Sequence, residues 1–198
     1  HCDRQMAGMD CWTTNQLLLL HLLACMSETV SLSSDRIPHI ARTWHITVNG
    51  QTAEVSREAE DPLVFALRNE LGLVATRLGC GLEQCGACRI RLGNEEANTA
   101  LTWACTTRLM DAEGACVTTL EGLGDDPLMV RLRAEFEALN AAQCGYCTTG
   151  ILMAAHDLLS TRRGWDRSEL AQALDGQLCR CGSQDRMLRA ILAVDAYA

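Results

Sequence analysis

Eight of the twelve cysteines in this 198-residue chain fall into two tight groups, and this grouping limits the possible folds more than any other feature. The first group is Gly79-Cys80-Gly81-Leu82-Glu83-Gln84-Cys85-Gly86-Ala87-Cys88, with a further cysteine at Cys105. The second is Cys144-Gly145-Tyr146-Cys147, followed later by Cys179-Arg180-Cys181. Cysteines bunched this closely, with no credible export signal before them, do not read as a disulfide framework. Only four Trp, two Tyr and two Phe accompany them, so ring packing contributes little to any core. At this length, with 48% hydrophobic residues, the chain can still bury a core as one domain or two small ones.

A formal charge of −8 excludes a non-specific nucleic-acid binder, which needs a basic face to neutralise phosphates. The longest apolar stretch, Leu17 to Ala24, is interrupted by His21 and is about half the length of a membrane span. It is also a poor signal peptide, because Asp3 and Asp10 offset Arg4 in the region that should be net positive. Residues 1–25 are therefore expected to form an upstream extension, with Met26-Ser27-Glu28-Thr29 resembling an ordinary protein start. Residues 27–43 lack an apolar period and read as a linker, so that 1–43 together form an extension before the first domain.

From Trp44 the sequence alternates apolar and polar residues on both sides of Asn49-Gly50, the signature of a hairpin. Asp61-Pro62 then predicts an N-cap and a first-turn proline for a helix of about ten residues ending at Gly72. Strands are expected at Arg89 to Leu92 and at Cys116 to Leu120, completing a small α+β unit over 44–122. Beyond Pro127 the pattern is helical. Helices are expected at Pro127 to about Ala142, Thr148 to Ser160, Ser168 to Asp175 and Gln184 to Val194, within a second domain over 127–196. In that half the order helix, cysteine pair, helix occurs twice, and two such units facing each other would bring four sulfurs together.

The first group has the spacing C-x4-C-x2-C, then sixteen residues and a fourth cysteine, which is the plant-type [2Fe–2S] arrangement. Gly79, Gly81 and Gly86 suit a loop that needs positive φ and close backbone approach, with N–H groups pointing at anionic sulfur. In the second group each cysteine pair directly precedes a predicted helix, where free N–H groups favour thiolate. Its spacing alone does not choose between structural zinc and an iron–sulfur cluster. Glu83 and Gln84 read as solvent rim, and Arg180 as either a solvated cation or one that favours a reduced cluster. Cys116 reads as a small buried strand residue; Cys2, Cys11 and Cys25 have no partner pattern.

With both groups in this order, the chain resembles the iron–sulfur subunit of the molybdenum hydroxylases, the xanthine dehydrogenase and aldehyde oxidase family. The resemblance spans about residues 44–196 and rests on Cys80 to Cys88 with Cys105, on Ala142-Gln143-Cys144-Gly145-Tyr146-Cys147, and on Leu178-Cys179-Arg180-Cys181-Gly182. The Gln84-Cys85-Gly86-Ala87-Cys88 version looks closer to the isoquinoline oxidoreductase and nicotinate dehydrogenase type. Thr148-Thr149-Gly150 and Ser183-Gln184 depart from the family pattern, but neither removes a cysteine.

The resemblance implies an α+β chain: a plant-type ferredoxin-like (β-grasp) domain, then an all-α four-helix domain. It implies two [2Fe–2S] clusters, one on Cys80, Cys85, Cys88 and Cys105 and one on Cys144, Cys147, Cys179 and Cys181. It further implies that Gln143 touches the molybdopterin cofactor of a large partner subunit. The expected role is electron transfer within an oxidoreductase complex, with no catalytic residue on this chain. A flavin subunit, a cytochrome or a quinone is the expected acceptor, and the cytoplasm the expected location. The competing readings are a free-standing two-cluster ferredoxin and a two-site structural zinc protein.

Overall fold

The computed structural model describes residues 42–95 and 99–196. The expected extension, with Cys2, Cys11 and Cys25, lies outside the described residues.

Strands β1 (Arg42–Val48) and β2 (Gln51–Arg57) form the expected hairpin. Asn49 and Gly50 both have positive φ (52° and 76°), the two-residue turn whose twist matches paired strands. β1 begins two residues before the alternation does, and Trp44, Ile46 and Val48 turn inward from it. Helix α1 (Leu63–Phe65) continues as a π-helical turn, Ala66–Glu70, closed by the Leu71 N–H on the Ala66 carbonyl at 3.1 Å. The expected cap is absent. Asp61 instead accepts from Arg57 Nε at 2.8 Å, and Pro62 occupies the N-cap position.

Strands β3 (Arg89–Gly93), β4 (Thr99–Trp103) and β5 (Cys116–Thr118) complete a mixed sheet in the order β2-β1-β5-β3-β4, in which only β1 and β5 run parallel. β4 is not among the expected strands; its five residues carry too little pattern to stand alone. The one-turn helix α2 (Leu109–Ala112) is likewise unexpected. β5 stops at Thr118 because the hairpin residue Asn49 captures Thr119: its Oδ1 accepts the Thr119 N–H at 2.9 Å and its Nδ2 donates to Thr119 Oγ1 at 3.0 Å.

A 3₁₀ turn (Leu120–Leu123) leads to four helices: α3 (Pro127–Ala138), α4 (Thr148–Thr161), α5 (Arg167–Ala173) and α6 (Gln184–Ala196). Asp126 caps α3, accepting from the N–H groups of Leu128 (2.9 Å) and Met129 (3.0 Å), with Pro127 in the first turn. α3 ends earlier than expected, as Asn140 turns to positive φ (46°) and the Ala141 N–H returns to the Phe136 carbonyl. Asp166 and Glu169 form a reciprocal capping box on α5.

One apolar cluster lies between the sheet and α1, and a second lies among the helices. The two halves form one compact unit in which α4 packs against β3 and β4. The approach is closest at Gly150, where an added Cβ would lie 2.0 Å from the Gly86 carbonyl oxygen. Beside it, Arg91 of β3 pairs with Asp157 of α4 at 3.2 Å.

Candidate metal centres

The loop from Gly79 to Cys88 is wound around its own sulfurs. The N–H groups of Leu82 and Gln84 donate to Cys80 Sγ at 3.3 and 3.2 Å, and the Cys80 N–H donates to Cys85 Sγ at 3.4 Å. The glycines act in two ways. Gly86 adopts φ 72°, whereas Gly79 is a close-approach position where a Cβ would fall 2.6 Å from Cys85 Sγ. Glu83, not a glycine, takes another positive φ (61°) and accepts from the Thr106 hydroxyl. Glu83 and Gln84 are both exposed, as a solvent rim should be.

Cys105 reaches this loop because β3 and β4 pair. Their register sets Arg89 opposite Trp103, and the Ala104 N–H bonds to the Cys88 carbonyl at 3.1 Å. Cys88 and Cys105 are buried and interact through their thiols, while Cys80 and Cys85 are paired at the outer side. Burial opposes ionisation of Cys80, but the N–H donors of Leu82 and Gln84 and the Cys85 thiol bring it down to about 7. Burial and the neighbouring Cys105 thiol push Cys88 up to about 12.

In the helical half the expected facing of two units is realised. Cys144 and Cys147 lie between α3 and α4, Cys179 and Cys181 between α5 and α6. The Sγ atoms of Cys144 and Cys181 are 3.4 Å apart, and Cys147, the N-cap residue of α4, interacts with the Cys179 thiol. Burial pushes Cys147 up to about 12. Cys144 is held below its ordinary value by the Tyr146 N–H and Cys181. Cys179 is also lowered: burial opposes this, but the Ser183 N–H, the Cys147 thiol and the Cys181 N–H outweigh it.

Each quartet is thus two sulfur pairs, Cys80/Cys85 with Cys88/Cys105 and Cys144/Cys181 with Cys147/Cys179. Among the described residues no disulfide forms, and no three Cys, His, Asp or Glu side chains form a site for a single metal ion. Paired sulfurs fit a two-iron core, in which each iron takes two thiolates and shares bridging sulfides. The buried hydroxyls of Thr148, Thr149 and Ser183, next to Cys147 and Cys181, have no partner within the chain. They are donors available to an anionic group at that site.

The two quartets touch. The Leu178 N–H donates to the Cys85 carbonyl at 3.0 Å, and Leu178 is bonded directly to Cys179. The Tyr146 hydroxyl, inside the second group, donates to the Leu78 carbonyl near the first. Gln177 is buried across the same junction.

Residues 46–121 match the family model described as a 2Fe-2S iron-sulfur cluster binding domain, and residues 119–192 match that of a [2Fe-2S] binding domain. The chain is 38% identical to one subunit of the nicotinate dehydrogenase of Pseudomonas putida, over 75% of its own length and 92% of the relative's. It is 38% identical to the alpha subunit of isoquinoline 1-oxidoreductase of Brevundimonas diminuta, over 73% of its length and 91% of the relative's. The chain belongs to the iron–sulfur small subunits of the molybdenum hydroxylases. The crystal structure of quinoline 2-oxidoreductase from Pseudomonas putida 86 contains a similar chain, with a TM-score of 0.70 and 32% identity over 79% of this chain and 95% of that one. The role of this small subunit is therefore electron transfer within an oxidoreductase complex.

Within the small subunit Gln143 is exposed beside the exposed Cys144, and Arg180 is also exposed. Cys116 is half-buried, its Sγ 3.9 Å from the Asn94 carbonyl oxygen. Sequence reasoning missed Gln177, Arg89 and Trp103, which fill the junction between the halves. Their positions near cysteines were the only signal; their contacts are tertiary.

Proposed function

We propose that Cys80, Cys85, Cys88 and Cys105 hold one [2Fe–2S] cluster and Cys144, Cys147, Cys179 and Cys181 a second. In this reading each close sulfur pair serves one iron. The first cluster sits in a ferredoxin-like (β-grasp) domain and the second in a four-helix domain, with the boundary near residues 122–127. When bound, the clusters accept and release one electron at a time. The chain's own contribution is to hold the thiolates, donate N–H groups to them and keep the two loops in contact.

The partner we propose is a large molybdopterin-binding subunit, with the exposed Gln143–Cys144 edge facing its pterin. An N-heterocycle is the favoured substrate class, given the names of the relatives, with an aldehyde as the other candidate; hydroxylation would take place on that partner. Electrons would enter at the Gln143 side, pass from the C-terminal to the N-terminal quartet, and leave to a flavin subunit, a cytochrome or a quinone. The proposed location is the cytoplasm, where such clusters are normally inserted. No described helix is long and apolar enough to cross a membrane.

The observation that carries this reading is the single hydrogen bond, Leu178 N–H to Cys85 carbonyl at 3.0 Å, that separates one cysteine of each quartet. Purification of the native complex tests it. The expected result is a red-brown protein with two paramagnetic clusters per chain on reduction, together with molybdenum and a heavy subunit. A colourless protein, or one isolated without molybdenum or a heavy partner, would refute the proposal.

A further inference from the structure

We propose that Arg89 is an electrostatic positioning residue for electron transfer: its guanidinium, fixed at the junction of the two quartets, is the counter-cation of the N-terminal cluster and favours that cluster's reduced form. The inference rests on the assignment of the two quartets as cluster ligands.

Arg89 directly follows Cys88 and starts β3. Its guanidinium carbon lies 3.7 Å from the centroid of the Trp103 ring, the residue opposite it in the β3–β4 register. With the Gln177 amide nitrogen turned to the Gly86 carbonyl oxygen (3.2 Å), the amide oxygen accepts from Arg89 Nε at 3.3 Å. Gln177 is 8% exposed and stands two residues before Cys179. The cation is thereby tied to Gly86 of the first loop and, through Gln177, to the second.

Its charge has no contact partner in the protein. Among the described residues no carboxylate lies within 4.0 Å of Arg89, whereas Arg91, two residues along the same strand, pairs with Asp157 at 3.2 Å. Glu83 and Asp157 are the carboxylates that act on Arg89 from farther away. A half-buried cation costs free energy unless opposite charge lies near it. At this position the nearest candidate is the thiolate set that includes Cys88. A fixed cation on a packed ring is screened less than an exposed one, so Arg89 is better placed for this role than the exposed Arg180. Reduction adds one electron, delivered by the C-terminal cluster, and no bond at Arg89 forms or breaks. The added negative charge is stabilised by the guanidinium, which raises the potential.

The test is a redox titration of the full, cluster-loaded chain followed by electron paramagnetic resonance, with the N-terminal signal identified by its perturbation in Cys80→Ser. Arg89→Gln should lower the midpoint of that cluster, shifting the electron-sharing equilibrium between the clusters about threefold to tenfold; tenfold is about 59 mV for one electron. Arg89→Lys should recover most of the shift, because it restores the charge. An unchanged midpoint in Arg89→Gln, or equal shifts in the Gln and Lys variants, overturns the proposal. Should Arg89→Gln fail to hold clusters, Gln177→Leu decides: it keeps the charge but frees it, and a downward shift supports the proposal while no shift overturns it. Failure of the ligand assignment looks different, because wild-type protein would then give no iron–sulfur signal at all.

Discussion

Gly150→Ala is the sharpest probe of how the two halves are joined, because two effects of opposite sign compete at that position. Gly150 lies in the first turn of α4, where alanine in isolation would help, by up to about 1 kcal/mol in a helix interior. Against this, the added Cβ would sit 2.0 Å from the Gly86 carbonyl oxygen, 2.9 Å from its carbon and 3.0 Å from Ala87 Cα. Restoring an ordinary carbon–oxygen contact of about 3.3 Å requires a displacement of roughly 1.3 Å. These are backbone atoms of the cysteine loop, which cannot swing aside as a side-chain end would. Overpacking of this kind costs about 1–3 kcal/mol, so the net effect is a loss of up to about 2 kcal/mol. For a chain of this size that lowers Tm by roughly 2–8 °C. The assay is thermal unfolding of the cluster-loaded protein, followed by visible circular dichroism of the clusters. A Tm equal to or above wild type would show that helix propensity governs this site and would refute the close-packing argument.

Removing one sulfur from either pair of the second quartet, as in Cys144→Ser or Cys147→Ser, should cost about half of the chain's visible absorbance and iron while the other cluster persists; equal loss of both clusters would contradict independent quartets. In the cluster-free chain at neutral pH, iodoacetamide should modify Cys80, brought down to about 7, well before buried Cys88, pushed up to about 12, as read by peptide mass spectrometry. Burial pushes the Asp126 carboxyl up, but the Met129 N–H, His156 (3.0 Å) and the Leu128 N–H together hold it below its ordinary value. Because the folded pKa lies below the unfolded one, this carboxylate stabilises the fold at pH above about 4 and the contribution is lost as pH falls through its folded value. Asp126→Asn should therefore lower stability at neutral pH by about 0.5–2 kcal/mol in denaturant titrations, with a smaller difference from wild type in acid.

The raised thiols also bear on assembly. Cys88 and Cys147, both pushed to about 12 by burial, stay protonated until a metal displaces the proton. The outer thiols Cys80 and Cys144 are lowered and more readily present thiolate. Each quartet thus combines an accessible nucleophilic sulfur with a buried one that ionises only when metal arrives.

The cysteine spacing, the Asn49-Gly50 turn, the Asp126-Pro127 cap and the helical periods beyond it are local features, and short-range chemistry was enough to read them from sequence. They determined which residues are candidates for the two clusters and which elements flank them. Only the tertiary structure decided how the sulfurs pair, because pairing depends on the register of β3 with β4 and on the facing of the α3–α4 and α5–α6 loops. Asp61 illustrates the reverse: its sequence position fits a cap, yet Arg57, four residues earlier, takes the carboxylate. The junction was the least legible part. Gly86, Arg89, Trp103, Gly150 and Gln177 come from separate loops, strands and a helix, and nothing local distinguishes a glycine that admits a helix from one that merely turns. Contacts between residues far apart in sequence arise from packing the two halves together, and that packing brings Cys85 within one hydrogen bond of the residue bonded to Cys179.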